Sequence, residues 1–478
     1  MSKIIFDVTD LRKYISMHPH LSGIQRVMVM IIDELAAQIG PDDIWLGYCG
    51  ATPQDYQVRR YSALGAAGMS DISNLAMVLD QSRPRPARPT LQGYADKPVK
   101  RFFHTLLRDF KASRGDERHF IKRGTTIEAW RASAPRLVTD TDYAKPRSLF
   151  DICGPGDWMV MLDAGWADKS WQTADNWRHR LRARGVRIAL MVHDLIQIQN
   201  PEYIPGRDSK VFYQWLYSTL ETADVYLANS QATADDLNAF LRAYEATQPV
   251  HVVPLAQHPI AAPARDRTKD TAADPVLPRV PDRYDKFADT WDMNGEIRAL
   301  LKWPFVLCVG TMDIRKNLWA LSQVWLRLSG NRDITLPKLV LVGRPGSFND
   351  DFKKLMHGTG NLGGWVEIHS NASDADLDFL YRNCLFTVMP SFYEGWGLPI
   401  GESLSYGKTG VVSQTSSMPE VGLDLVEYCD PHDMTSIEEA CLRLIADPAH
   451  RKALEAKIAA ATLRSWADVS RDLHVLLK

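Results

Sequence analysis

No stretch of this chain is apolar for long enough to span a bilayer. Charge of one sign is also missing. Lys and Arg number 56 against 58 Asp and Glu, a net charge of −2, so overall electrostatics point to no nucleic-acid partner. Cysteine is sparse: Cys49, Cys153, Cys308, Cys384, Cys429 and Cys441 are scattered, several of them in apolar runs. They read as reduced core residues of a cytosolic protein, neither a disulfide frame nor a metal set. No clustered metal-ligand spacing is present, and no Asp-x-Asp stands in a convincing context, so catalysis without a metal is expected. A Gly-x-Gly-x-x-Gly followed by a ribose-binding acid is lacking too, which disfavours a nicotinamide or flavin enzyme. Met1 to Asp10 runs straight into a strand-like segment without a signal-peptide layout, and a cytoplasmic protein is expected.

What is there is alternation. Short apolar runs alternate with helical periodicity in both halves, which predicts an α/β protein with two Rossmann-like parallel sheets facing a cleft. A chain of 478 residues has room for two such domains. The first is expected over 1–257, with an insertion over about 51–150. A segment rich in proline, alanine and charge makes 258–300 a linker. The second domain is expected over 301–460, and a last helix over 461–478. Inside the insertion, Arg83 to Pro89 is a basic proline-rich run that resists regular structure. Val99 to Lys111 interleaves bases with aromatic and aliphatic residues at helical spacing. Such a helix either lies on an anionic membrane surface or packs on the domain with a wet basic face.

The most informative stretch is Met389 to Leu404, which reads as the end of a strand, a glycine loop and a helix start. Gly395 and Gly397 permit backbone conformations that a Cβ forbids and allow close approach of a ligand. Pro399 suits a first helical turn, and the free N–H groups there, around Leu398, form an anion site. Glu394 and Glu402 stand at the two ends of the turn, suited to accept from hydroxyls of a sugar or ribose. Three other segments follow strand-like runs. Gly310, Thr311, Arg315 and Lys316 place two cations after a glycine turn, suited to a diphosphate. Arg344 lies in a loop at the expected cleft edge. His193 and Asp194 close an apolar run where α/β folds place function. Near the N-terminus, Gly23 and Arg26 open a helix. Arg26 either reaches a phosphate or is a solvated helix cation.

The Glu394-Gly-Trp-Gly-Leu-Pro-Ile-Gly-Glu402 run resembles the E-x7-E motif of the retaining GT-B glycosyltransferases of family 4. Gly310 to Asn317 resembles the same family's G-T-x-E-x-R-K-N segment, with Asp313 where Glu is usual. Thr311 stands where many members carry Arg. Ser416 to Glu420 resembles its S-S-x-P-E segment, in which Glu420 supports the cleft wall. The resemblance implies that Lys316, with Arg315, binds the donor diphosphate. It gives Glu402 the ribose and Glu394 the donor sugar. Acceptor binding is implied near His193, Asp194, Gly23 and Arg26. It further implies retention of anomeric configuration, no cofactor besides a nucleotide-diphosphate sugar, and a terminal helix returning to the first domain. The form of the 310–317 segment is similar to mannosyltransferases of bacterial surface-polysaccharide assembly. That favours a GDP-sugar and a glycan or lipid-linked acceptor, with peripheral contact at the inner face of the cytoplasmic membrane. A UDP-sugar enzyme, a phosphorylase-like activity and a non-catalytic nucleotide-sugar-binding scaffold remain alternatives.

Overall fold

The computed structural model describes residues 2–17, 21–50, 55–79, 91, 97–121, 126–132, 146–166, 169–172, 176–258, 294–370 and 372–478. The proline-rich run 83–89 and residues 259–293 of the expected linker lie outside them. No helix among the described residues is long and apolar enough to cross a membrane.

Two sheets organise the chain. The first contains β1 (Ile4–Asp7), β2 (Ile44–Cys49), β3 (Tyr56–Arg60), β4 (Arg147–Ser148), β5 (Trp158–Met161), β6 (Arg187–Val192), β7 (Val225–Ala228) and β8 (Val250–Val252). Their spatial order is β4-β3-β2-β1-β5-β6-β7-β8. The second contains β9 (Phe305–Val309), β10 (Lys338–Val342), β11 (Val366–His369), β12 (Thr387–Met389), β13 (Gly410–Ser413) and β14 (Glu427–Cys429). Their order is β11-β10-β9-β12-β13-β14, with every pairing parallel. Central strands such as β1 and β5 are buried along their whole length. Helices cover both faces of a parallel sheet, so its strands read as unbroken apolar runs. That is why the alternation was visible in sequence.

The expectation of purely parallel sheets needs one correction. β3 pairs antiparallel with β2, and β4 antiparallel with β3. Both strands come from the 51–150 region, so the two ends of that region are stitched to the edge of the first sheet. An antiparallel edge needs only a tight return between β2 and β3, whereas a parallel partner needs a crossover of a dozen or more residues.

Each sheet reverses its strand order at one place, between β1 and β5 in the first and between β9 and β12 in the second. Such switch points open a crevice at the strand C-terminal ends. The two halves share one apolar core. Buried Val27, Ile31 and Leu255 of the first join Trp396, Ile400 and Met418 of the second, together with Trp466 and Leu473. The last helix, Trp466–Leu476, starts at a capping box on Ser465 and Asp468. It lies on helix Gly23–Ile39, where Ser470 Oγ donates to the Ile31 carbonyl (2.8 Å) and Gln38 donates to the Ala467 carbonyl (2.7 Å).

Candidate active site

The loops after β9 and β12 meet at the switch point of the second sheet. Gly310 ends β9 at φ 145°, and a Cβ there would lie 2.9 Å from Lys316 Cε. The glycine therefore makes room for the lysine stem. Gly343, at the end of β10 with φ 153°, is tighter still, since a Cβ would stand 1.9 Å from the Gly310 carbonyl oxygen. Arg315 and Lys316 precede the next α-helix. They sit in a 3-10 turn, Ile314–Lys316, which Asn317 ends at φ 56° before helix Leu318–Leu328 begins. The turn aims both cations back at the sheet.

There they grip Glu394. Lys316 Nζ donates to Glu394 Oε1 at 2.6 Å, and Arg315 pairs with Oε2. Arg315 also donates to the Tyr393 carbonyl (2.8 Å). Burial alone would raise the Glu394 carboxyl, but the Arg315 and Lys316 charges and their hydrogen bonds hold it at about 2. It is a permanent anion at neutral pH and accepts hydrogen bonds without donating a proton. Burial opposes the charge on Arg315, and Glu394 and Asp313 more than restore it. Ser416 Oγ accepts from Glu394 N–H (3.0 Å) and Ser417 Oγ donates to its carbonyl (2.9 Å), which gives both serines of that segment a task.

Glu402 lies one turn into helix Leu398–Ser405. Its Oε2 accepts from Tyr381 Oη at 2.7 Å, and Tyr381 stacks on Tyr406 with ring centroids 5.1 Å apart. Burial pushes its carboxyl up, and the Tyr381 bond works against that. Gly397 caps the helix at φ 98°. Gly395 is not among the positive-φ glycines, and packing gives a reason for it. A Cβ there would lie 2.0 Å from the carbonyl oxygen of His193 in the first domain. The close approach it allows is of the other domain.

His193 and Asp194 are thereby brought against the glycine loop. His193 Nε2 lies 2.8 Å from the Leu162 carbonyl. A carbonyl only accepts, so Nε2 carries the proton and Nδ1 keeps a lone pair for a hydroxyl. Burial lowers the histidine's pKa, against the Leu162 bond, and so disfavours its charged form. Burial raises Asp194, against the Arg315 charge. Gly23 starts helix Gly23–Ile39 and faces Leu398 Cδ1, 3.7 Å from where its Cβ would be. Arg26 stays partly exposed and pairs with Asp374 of the second domain at 2.7 Å. Arg344 also crosses, donating to Tyr14 Oη at 3.0 Å. Thr311, beside Gly310, is exposed.

Sequence reasoning missed Asp163. It follows β5 at the switch point of the first sheet and is 5% exposed. Oδ1 accepts from Gln25 Nε2 (3.2 Å) and Ala164 N–H (2.8 Å), while Oδ2 is buried without a partner among the described residues. Burial raises its carboxyl to about 6. The signal was a polar residue closing the apolar run Trp158–Leu162, the rule that singled out His193 and Asp194. A hollow of about 630 Å³ beside Trp171, Tyr217 and Tyr244 includes none of these site residues in its lining.

The site thus offers a buried lysine and a largely buried arginine, a fixed carboxylate, a second carboxylate under a tyrosine pair, and a histidine from the facing domain. That set can hold a diphosphate, accept from sugar hydroxyls and meet an incoming hydroxyl.

Residues 291–460 match the family described as "Glycosyl transferases group 1". The chain is 29% identical to O-antigen chain mannosyltransferase B of Escherichia coli, over 60% of this chain and 68% of that one. It is 24% identical to the serotype-specific mannosyltransferase WbdA of the same organism, over 58% of this chain. The match spans about a third of WbdA, 32% of its length. The structure of Anabaena HepE in complex with UDP and glucose matches with a TM-score of 0.53 at 12% identity, covering 100% of this chain and 99% of that one. At that identity the likeness speaks for the fold, two Rossmann-like domains in the GT-B arrangement.

Proposed function

We propose that this chain, whose residues 291–460 match the group 1 glycosyltransferases and whose fold is GT-B, is a glycosyltransferase that moves mannose from GDP-mannose onto a glycan or lipid-linked acceptor in surface-polysaccharide synthesis. The sugar rests on the mannosyltransferase relatives and on the Gly310–Asn317 segment. Peripheral contact with the inner face of the cytoplasmic membrane belongs to the same reading, because a lipid-linked acceptor is presented there.

The observation that carries the chemistry is the knot of Arg315, Lys316 and Glu394 at the switch point. In this reading the donor diphosphate lies along Lys316 and Arg315, with the N–H groups around Leu398 adding partial positive charge. Charge grows on the diphosphate as the bond from sugar C1 to its oxygen breaks, and preorganised cations act most strongly on charge that develops in the transition state. Glu402 accepts from the ribose hydroxyls and Glu394 from those of the sugar. The acceptor hydroxyl enters past His193, bonds to C1 on the face the diphosphate leaves, and passes its proton to the departing phosphate oxygen. Configuration is retained, and the step asks for no metal.

The test is release of GDP and transfer of mannose, followed with GDP-mannose and UDP-sugars in parallel. We expect turnover with GDP-mannose and a fall of about 10²–10³ in kcat for Lys316→Ala. Turnover with a UDP-sugar alone would replace the donor. Binding without turnover or hydrolysis would replace the enzyme by a nucleotide-sugar-binding scaffold.

A further inference from the structure

Helix Pro98–Ser113 turns its apolar side outward. Val99, Phe102, Phe103, Leu106, Leu107 and Phe110 are between 45% and 68% exposed, and helical spacing puts them on one stripe. Its other side is the anchored one. Ala112 joins a small cluster with Leu91, Phe120, Ile127 and Trp130. Arg108 is 6% exposed and lies over the Trp130 ring at 5.3 Å. Trp130 Nε1 donates to Asp109 (2.8 Å), and Arg131 donates to the Ala112 carbonyl (2.9 Å). The sequence pattern left open which face is out, and the structure presents the aromatic one.

We propose that this stripe docks on an anionic lipid bilayer, lying in its surface with the three phenylalanines among the headgroups and upper acyl chains. This deepens the peripheral-membrane part of the reading above and names its surface. Charge decides between occupants. Residues 97–121 carry seven Lys and Arg against three Asp and Glu, within a chain whose net charge is −2. Exposed Lys97 and Lys100 stand at the same end of the helix as Val99. A second copy would bring the same positive surface to meet it. An anionic bilayer supplies the opposite charge and an apolar layer together. The 16-residue helix is about 24 Å long, which suits lying in the surface.

The test is co-sedimentation of the whole chain with vesicles of phosphatidylcholine alone and with about one-third phosphatidylglycerol, at low and raised salt. We expect binding to the anionic vesicles that weakens with salt. Phe103→Ser/Phe110→Ser should cut it by about tenfold or more, and Lys100→Ala by about fivefold. All three positions are exposed, so circular dichroism and transfer to a soluble acceptor should stay at wild-type level. Absence of wild-type binding, or equal binding by the phenylalanine variant, overturns the proposal. So does a wild-type dimer that the variant breaks without any vesicle binding, which would give the stripe to a second copy. Vesicle binding and soluble-acceptor turnover are separate readouts, so failure of one does not mimic failure of the other.

Discussion

Glu394 is held by opposing forces of unequal size. Taking a carboxylate out of water costs several kcal/mol, and here two cations offset it at contact distance. Its pKa is pulled below the unfolded value of 4.5 to about 2. A depressed acid contributes stability that is fully present above about pH 4.5 and is lost as pH falls through about 2. Glu394→Gln should therefore flatten the acid limb of the melting temperature against pH in that window. At pH 7 it should cost on the order of 3 kcal/mol, because Arg315 and Lys316 lose their buried counter-charge. An acid limb as steep as wild type would mean that the pair does not bias Glu394 as described.

The strand–glycine–helix unit at 387–405 packs against the neighbouring domain as well as lining the candidate site. Gly395→Ala sets a methyl against the His193 carbonyl, where a Cβ would be only 2.0 Å away. Backbone cannot yield as a flexible side chain does, so the domains must part. We expect a cost of about 1–3 kcal/mol and a loss of transfer near a hundredfold. Calorimetry and kcat check this, and wild-type values for both would refute the contact. This glycine also shows where sequence reasoning stops. Parallel strands and the helices between them were legible, since burial on both faces writes unbroken apolar runs. The positions of Lys316, Glu394 and Glu402 beside strand ends were legible because each lies in or next to a local turn. The partner of Gly395, the ion pair of Arg26 with Asp374 and the unpaired oxygen of Asp163 were not. Each depends on a segment more than a hundred residues away. The antiparallel edge strands were hidden for a related reason, as β4 is two residues long and leaves no pattern to read.

For the whole molecule, the question is what holds the two halves at this spacing. Glu420 of the second domain caps a helix of the first, accepting from Gln231 N–H (2.7 Å) and Ala232 N–H (2.9 Å) at the start of helix Gln231–Ala243. Tyr203 of the first domain stacks on Phe392 of the second at 5.7 Å, and Phe392 stacks in turn on His432 at 5.0 Å. Tyr393 bonds to Asp236 nearby. Glu420→Ala leaves two N–H groups without the carboxylate and should cost about 1 kcal/mol. Its donor contacts are untouched, so we expect nucleotide affinity within about twofold of wild type. Acceptor-dependent turnover should fall more, because His193 is placed by domain contact. A matched loss of nucleotide affinity and turnover would contradict that division of labour.

We propose that Arg315, Lys316, Glu394 and Glu402 form a nucleotide-diphosphate site on the second domain. The most direct measurement is thermal stabilisation by GDP, UDP and ADP on wild type, Lys316→Ala and Glu402→Ala. A ligand that binds only the native state at a hundred times its Kd stabilises it by about 2.7 kcal/mol. We expect GDP to shift wild type, UDP and ADP to shift it less, and both variants to lose most of the GDP shift. No shift with any nucleotide, or equal GDP shifts in wild type and both variants, would contradict it.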